Sequence, residues 1–256
     1  MLEWLHDLLQ NNLNGPELTF LGWYHILYIV LDLALIATLC TFFLNKEKIT
    51  QEKFMWGLTI FLFVSYLVDL ALQPIIYLGE AGVAEAIINK LPFHLCTLNA
   101  LLIPIAMVVN KSWFRNIVVA FAFFGGTLFL IAPQTYVQGG YSPFCYQVIQ
   151  TFIYHGAMLC WAVFALLSRF VRPKLLDALW STLSLPAIAA WAEIGNLVFY
   201  TPERNFLFLH RDITGLTTGY WYLALYPAIG IVVFVAYYSF FDFVYPKIAA
   251  GLHLEK

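Results

Sequence analysis

Seven stretches of mainly apolar residues run along the chain, roughly at 18–44, 54–79, 92–110, 114–132, 146–169, 178–199 and 220–244. Each has about the 20 residues a helix needs to cross a bilayer. Hydrocarbon offers backbone amides and carbonyls no partners, so a spanning segment must satisfy them internally, as a helix does. These lengths therefore predict an all-α fold, a polytopic membrane helix bundle of about seven transmembrane helices. Composition agrees, because 62% of the 256 residues are hydrophobic and 11% are charged, whereas soluble domains carry about 25% charged residues. A water-soluble core is excluded. Residues 18–244 read as a single transmembrane domain, with no room for a separate soluble one.

The flanks are short. Leu2, Leu5 and Leu9, with Trp4 and Leu8, give residues 1–17 a helical apolar face beside Glu3, His6 and Asp7, which predicts an interfacial amphipathic segment. The Asn11-Asn-Leu-Asn-Gly-Pro16 cluster ends it. The first lysine is Lys46, beyond the first span, so the N-terminus lacks the positive region of a secretory signal and the first span is expected to persist. Residues 245–256 form a tail.

Orientation follows from Lys and Arg, which gather in cytoplasmic loops. Lys46, Lys48, Lys53, Lys111, Arg115, Arg169, Arg172, Lys174, Lys247 and Lys256 fall on one side, ten in all, against Lys90, Arg204 and Arg211 on the other. The expected arrangement has the N-terminus outside and the C-terminus cytoplasmic. A net charge of −2 provides no basic face for nucleic acid, and the expected partner is membrane phospholipid. The sequence does not specify an oligomeric state. No internal repeat is evident, which weakens a secondary-transporter reading.

Ionisable groups are costly in hydrocarbon and mark function by default. On this topology His25, Asp69, His94, Cys96, Asn99, Gln147, Thr151, His155, Glu193 and Asn196 all fall in the outer half, leaving the inner half nearly apolar. That asymmetry predicts a cavity opening outward. The densest cluster is Leu91-Pro-Phe-His-Leu-Cys-Thr-Leu-Asn99. Cys96 and Asn99 are i, i+3 and share a helical face, as do Glu193 and Asn196; Gln147, Thr151 and His155 form a stripe at i, i+4, i+8. His94 and Cys96 point apart unless Pro92 unwinds that turn, so His155, on another span, is the preferred base for Cys96.

A cysteine nucleophile acts as thiolate and needs a base or a lowered pKa, and Cys96 near a helix N-terminus gains from the helix dipole. Other readings stay open. A membrane cysteine is often a small hydrophobe, which suits Cys40 and Cys160, and Cys145 could pair with Cys96. Buried His and Asn often join helices by hydrogen bonds. Asp69 and Glu193 could serve a proton path, or pair with His25 or His94. The four cysteines form no CxxC, so no metal or cofactor is expected. The aromatics of residues 200–222 suit an interfacial belt, or a platform for a lipid head group beside Arg204, His210 and Arg211.

Leu91-Pro-Phe-His-Leu-Cys96 with Ile103-Pro104, Phe152-Ile-Tyr-His-Gly156 and Asn205-Phe-Leu-Phe208 occur in an order and spacing that resemble YwaF-like bacterial integral membrane proteins. These look like relatives of the eukaryotic transmembrane protein 164 family. The resemblance implies transfer of acyl chains between phospholipids through a cysteine and a histidine, placed by motif on Cys96 and His155. It also draws Asn205 into the substrate-binding set and implies a bacterial plasma membrane. The expectation is a thiol acyltransferase of the outer leaflet: Asn99 holds an oxyanion, Asp69 or Glu193 orients an imidazole, and His94, Asn196 and His25 support. A lipid hydrolase, a lipid- or solute-binding transport protein and a structural partner of an envelope complex are the alternatives.

Overall fold

The computed structural model describes residues 9, 16–77, 82–133, 136–137, 139–201, 205–210 and 221–251. Most of the expected interfacial segment, together with Arg204 and Arg211, lies outside these residues. The described chain is helical throughout: α1 Trp23–Leu44, α2 Lys48–Ile76, α3 Val83–Lys90, α4 Leu95–Val109, α5 Ser112–Ile131, α6 Tyr146–Leu167 and α7 Leu175–Val198. A 3-10 turn Phe206–Phe208 precedes α8 Tyr222–Ser239, which passes through a π-helical stretch Phe240–Val244 into α9 Tyr245–Gly251. The expected tail thus begins inside a helix.

Six helices are long and apolar enough to cross a membrane, and α3 with α4, bent 49° at their junction, make a seventh. The rest of the surface suits lipid: Leu31, Leu128, Leu183 and Val232 stand exposed along the helices. Such apolar surface on a soluble protein would drive aggregation.

Helix α6 is the axis of the bundle. Of its most apolar stretch 72% is buried inside the protein, against 17% for α1, and α1, α2 and α5 pack around it. Small residues permit the closest approaches. A Cβ at Gly126 of α5 would stand 2.9 Å from both the His155 carbonyl oxygen and Leu159 Cβ of α6, and at Gly156 of α6 it would strike the Asp32 carboxylate of α1, 2.5 Å away. Prolines lie inside helices at Pro74, Pro104, Pro186 and Pro227, and Pro246 in the first turn of α9.

The end of the bundle opposite α3 is not the apolar half that the sequence suggests. Asn116 Nδ2 donates to Asp177 Oδ2 at 2.6 Å, and Tyr238 Oη bonds to Ser181 Oγ at 2.7 Å and donates to the Asn116 carbonyl at 3.0 Å. Gln51 and Thr59 are also buried there. These residues sit near helix starts or inside apolar runs, where their long-range partners leave no sequence signature.

Candidate functional site

Helix α4 has 15 residues, about 22 Å at 1.5 Å per residue, short of the ~30 Å hydrocarbon core. The non-helical turn Leu91–His94 that joins it to α3 therefore lies at membrane depth. Irregular backbone survives there only when protein buries it or when it lines an aqueous cavity. Here protein covers it. Phe93 packs with Ala192 and Phe206, and Trp191 Nε1 donates to the Pro92 carbonyl at 2.7 Å. The Thr97 hydroxyl lies 3.0 Å from the Leu91 and the His94 carbonyls. Leu91 and His94 are both extended, so Pro92 does unwind the turn, and His94 becomes the N-cap residue.

Cys96 thus occupies the first turn of α4, where backbone amides lack helical acceptors and the dipole favours negative charge. The Thr97 amide reaches its sulfur. Cys96 is half-buried. One turn further in, Asn99 is fully buried and neither its Oδ1 nor its Nδ2 has a hydrogen-bond partner. Its amide faces the bare backbone of Gly125 on α5, where an added Cβ would lie 3.6 Å from Nδ2 and 3.2 Å from Met158 Cε. An unpaired amide costs about 1–3 kcal/mol, so Asn99 does not join helices by a side-chain hydrogen bond.

Helix α6 supplies the rest. His155 Nδ1 lies 2.8 Å from the Thr151 carbonyl, which can only accept, so Nδ1 carries the proton and Nε2 presents a lone pair. Among the described residues Nε2 has no hydrogen-bond partner. The ring stacks on Phe129 at 3.8 Å between centroids, which fixes its plane. Next to it, Tyr154 Oη donates to the Cys96 carbonyl at 3.0 Å, tying α6 to the first turn of α4. No hydrogen bond joins Cys96 Sγ to the imidazole.

Beside them Lys90 Nζ pairs with Asp69 Oδ2 at 2.8 Å, and Gln73 Nε2 donates to Asp69 Oδ1 at 3.0 Å. The Lys90 ammonium also acts electrostatically on Cys96, His94, His155 and Tyr136. Tyr136 Oη bonds to Thr151 Oγ1 at 2.7 Å. Cys96, Asn99, His94, His155, Asp69, Lys90 and Tyr154 therefore converge on one end of the bundle.

The other expected residues lie differently. His25 accepts from the Leu21 amide and donates to the Leu130 carbonyl, at 3.0 and 2.8 Å; both nitrogens are engaged, one within the start of α1 and the other joining it to α5. Neither Asp69 nor Glu193 orients an imidazole of the cluster: Asp69 pairs with Lys90, and Glu193 Oε2 lies 2.9 Å from His210 Nε2 at the surface. Asn196 grips the Phe206 backbone, accepting from its amide at 2.7 Å and donating to its carbonyl at 3.4 Å. Asn205 Oδ1 accepts from the His210 amide at 2.8 Å, which makes it a turn former. With Leu207 held at φ +53° and its amide 3.5 Å from His94 Nδ1, residues 205–210 fold back over the broken turn. Cys96 and Cys145 are free thiols, not a disulfide. Among the described residues no group of three His, Cys, Asp or Glu is placed to hold a metal.

Sequence reasoning missed Lys90, read as a loop cation although it directly precedes the Leu91–Cys96 motif. It also missed Tyr154, which precedes His155 but makes a backbone contact that no spacing reveals. Asp32, pressed on Gly156, was hidden as a single carboxylate in an otherwise apolar span.

The fold and the site define a multi-pass helical membrane protein with a polar cluster at the break of a discontinuous helix. Residues 20–238 match the model of the TMEM164 family. The match covers most of the chain, which belongs to that family. No curated protein and no solved structure matches it.

Proposed function

We propose that this protein is a membrane-embedded thiol acyltransferase acting on phospholipids. The observation that carries the reading is Asn99, a fully buried amide with neither end paired, one turn from a cysteine in the first turn of a broken helix. In the first half-reaction the His155 Nε2 lone pair takes the Cys96 thiol proton through one bridging water. The thiolate attacks the acyl carbonyl of a phospholipid ester. Negative charge collects on the carbonyl oxygen, where Asn99 Nδ2 and the first-turn amides of α4 donate to it. The C–O bond breaks, the lysophospholipid oxygen leaves with the proton from His155, and the acyl group remains on Sγ as a thioester. In the second half, an acceptor hydroxyl gives its proton to Nε2 and attacks the thioester, and Cys96 departs as thiolate and takes that proton back from His155. Water in place of the acceptor gives hydrolysis.

Lys90, held by Asp69 at 2.8 Å, stands as a cation beside the Cys96 cluster. Asp69 in this pairing is not free to relay protons, and His25 has both nitrogens engaged, which removes two groups that a transport path would use.

The test is the intact mass of purified protein incubated with mixed phospholipids, for wild type and Cys96→Ala. The expected result is an acyl-sized adduct on wild type, lost on hydroxylamine treatment and absent from the variant. Should Cys96 prove inert to phospholipid and to a thiol-reactive lipid analogue, with lipid turnover unchanged in Cys96→Ala, covalent catalysis is wrong. Loss of function in Asp69→Asn with Cys96→Ser silent would then favour binding or transport.

A further inference from the structure

At the other end of the bundle, expected to face the cytoplasm, the start of α2 and the loop after α6 enclose a cleft of about 290 Å³. Lys48, Arg169 and Arg172 line it, with Glu52 as the carboxylate on its wall. Neither Lys48 nor Arg172 has an ion-pair partner among the described residues. Lys48 Nζ is held in place by the Ser168 carbonyl at 3.0 Å and Gln51 Oε1 at 3.2 Å, which leaves one of its three N–H bonds to offer. Ser168 also lines the cleft; it is 7% exposed, and its hydroxyl has no hydrogen-bond partner. The positive end of α2 begins at Lys48, and helix N-termini favour anions.

We propose that this cleft binds the phosphate of a phospholipid headgroup from the leaflet on that side. Three cations, an unpaired hydroxyl and a helix N-terminus are the groups that hold a phosphate in other sites. The cleft lies where an apolar span begins, and Ile49, next to Lys48, is 58% exposed on the lipid-facing surface, so a headgroup reaches it laterally. Glu52 selects between sources of phosphate. A phosphodiester carries a single negative charge, whereas a free phosphate or monoester carries about −1.5 to −2 at neutral pH and is repelled more strongly by a carboxylate on the wall. The site is separate from the Cys96 cluster and does not depend on the acyltransferase reading.

The experiment measures thermal unfolding of the full chain in neutral detergent, in a Cys96→Ala background so that no acyl chain is consumed. Titrants are phosphatidylglycerol, a diacylglycerol of the same chains, and inorganic phosphate. Saturable stabilisation is expected from phosphatidylglycerol alone. Arg172→Gln should raise the half-saturating concentration about tenfold, as loss of a charge-assisted hydrogen bond implies, and Arg172→Lys should recover part of it. Ser168→Ala should raise it less. The unfolding midpoint without titrant reports whether each variant is folded, and Arg172, exposed at the surface, is chosen because its loss should leave that midpoint in place. Equal stabilisation by diacylglycerol, or an unchanged half-saturation in Arg172→Gln, overturns the proposal. So does an effect that inorganic phosphate alone reproduces, which would assign the cleft to a soluble anion.

Discussion

The hydroxyl of Tyr154 donates to the carbonyl oxygen of Cys96 across 3.0 Å, so the helix that carries His155 holds the cysteine by its backbone and not by its sulfur. Tyr154→Phe removes that bond and little volume. A net loss of about 1 kcal/mol is expected, read as a lower unfolding midpoint in detergent. Labelling of Cys96 by a thiol-reactive lipid analogue should slow more than this loss of stability explains, because the first turn of α4 is no longer fixed against α6.

Asn99→Leu should move stability and activity in opposite directions. Replacing an unpaired buried amide with an apolar group of similar size relieves about 1–3 kcal/mol of desolvation cost. Removing an oxyanion donor costs on the order of 10²–10³ in rate. A variant that melts higher yet transfers acyl groups a hundredfold more slowly is the expected outcome. An Asn99→Leu protein with wild-type turnover would remove Asn99 from the chemistry.

The two adjacent glycines of α5 should respond unequally to alanine. At Gly126 the new methyl meets α6 backbone and Leu159 Cβ at 2.9 Å, atoms that cannot swing away, so overpacking of about 1–3 kcal/mol is expected. At Gly125 the nearest atom is the Met158 methyl group at 3.2 Å, the end of an unbranched side chain that can give by a few tenths of an ångström, and folding should change less than at Gly126. That methyl stands beside the Asn99 amide, so acyl transfer by Gly125→Ala should fall although its midpoint moves less than that of Gly126→Ala. Thermal unfolding and adduct formation, measured on both variants, separate the two effects.

Breaking the Lys90–Asp69 pair from either side should be worse than removing both charges. Lys90→Met strands Asp69 in a buried position, at roughly 3–5 kcal/mol, and Asp69→Asn leaves Lys90, whose side chain is 22% exposed, unpaired at a smaller cost. The double variant Asp69→Asn/Lys90→Met leaves no stranded charge and should recover most of the lost unfolding midpoint. Its thiol should still react more slowly, since Cys96 loses the nearby ammonium. Additive losses in the double variant would show that the two side chains do not depend on each other.

Much of this architecture is legible in the chain because hydrocarbon imposes length. Six of the seven apolar stretches contain a spanning helix, and the third begins at Leu95, just after Pro92. Its continuation into α3 was not legible. Glu85 and Lys90 charge an eight-residue segment that reads as a loop until Asp69 is seen to neutralise its last residue. Local spacing also put Cys96 and Asn99 on one face, whereas the unwound turn at Pro92 stood only as the exception to that reading. It did not foresee partners set by packing: Asp69 with Lys90, Glu193 with His210, and His25 with the last turn of α5. These join residues 17 to 105 positions apart, and several polar groups compete for each one when only sequence is known. The buried Asn116–Asp177–Tyr238 network escaped for the same reason.

The break in the third span also bears on how the chain enters its membrane. Val83–Lys90 and Leu95–Val109 are 8 and 15 residues long, and neither half alone matches the thickness of hydrocarbon. A translocon releasing these segments in turn meets no stable helix until α2 has covered Lys90 and α6, synthesised more than 50 residues later, has seized Cys96. Nascent chains arrested before Tyr154 should therefore hold α3 and α4 loosely, at the membrane surface. Cys96 would take up its depth only once α6 has been made, before the segment from Leu175 onward closes over the broken turn.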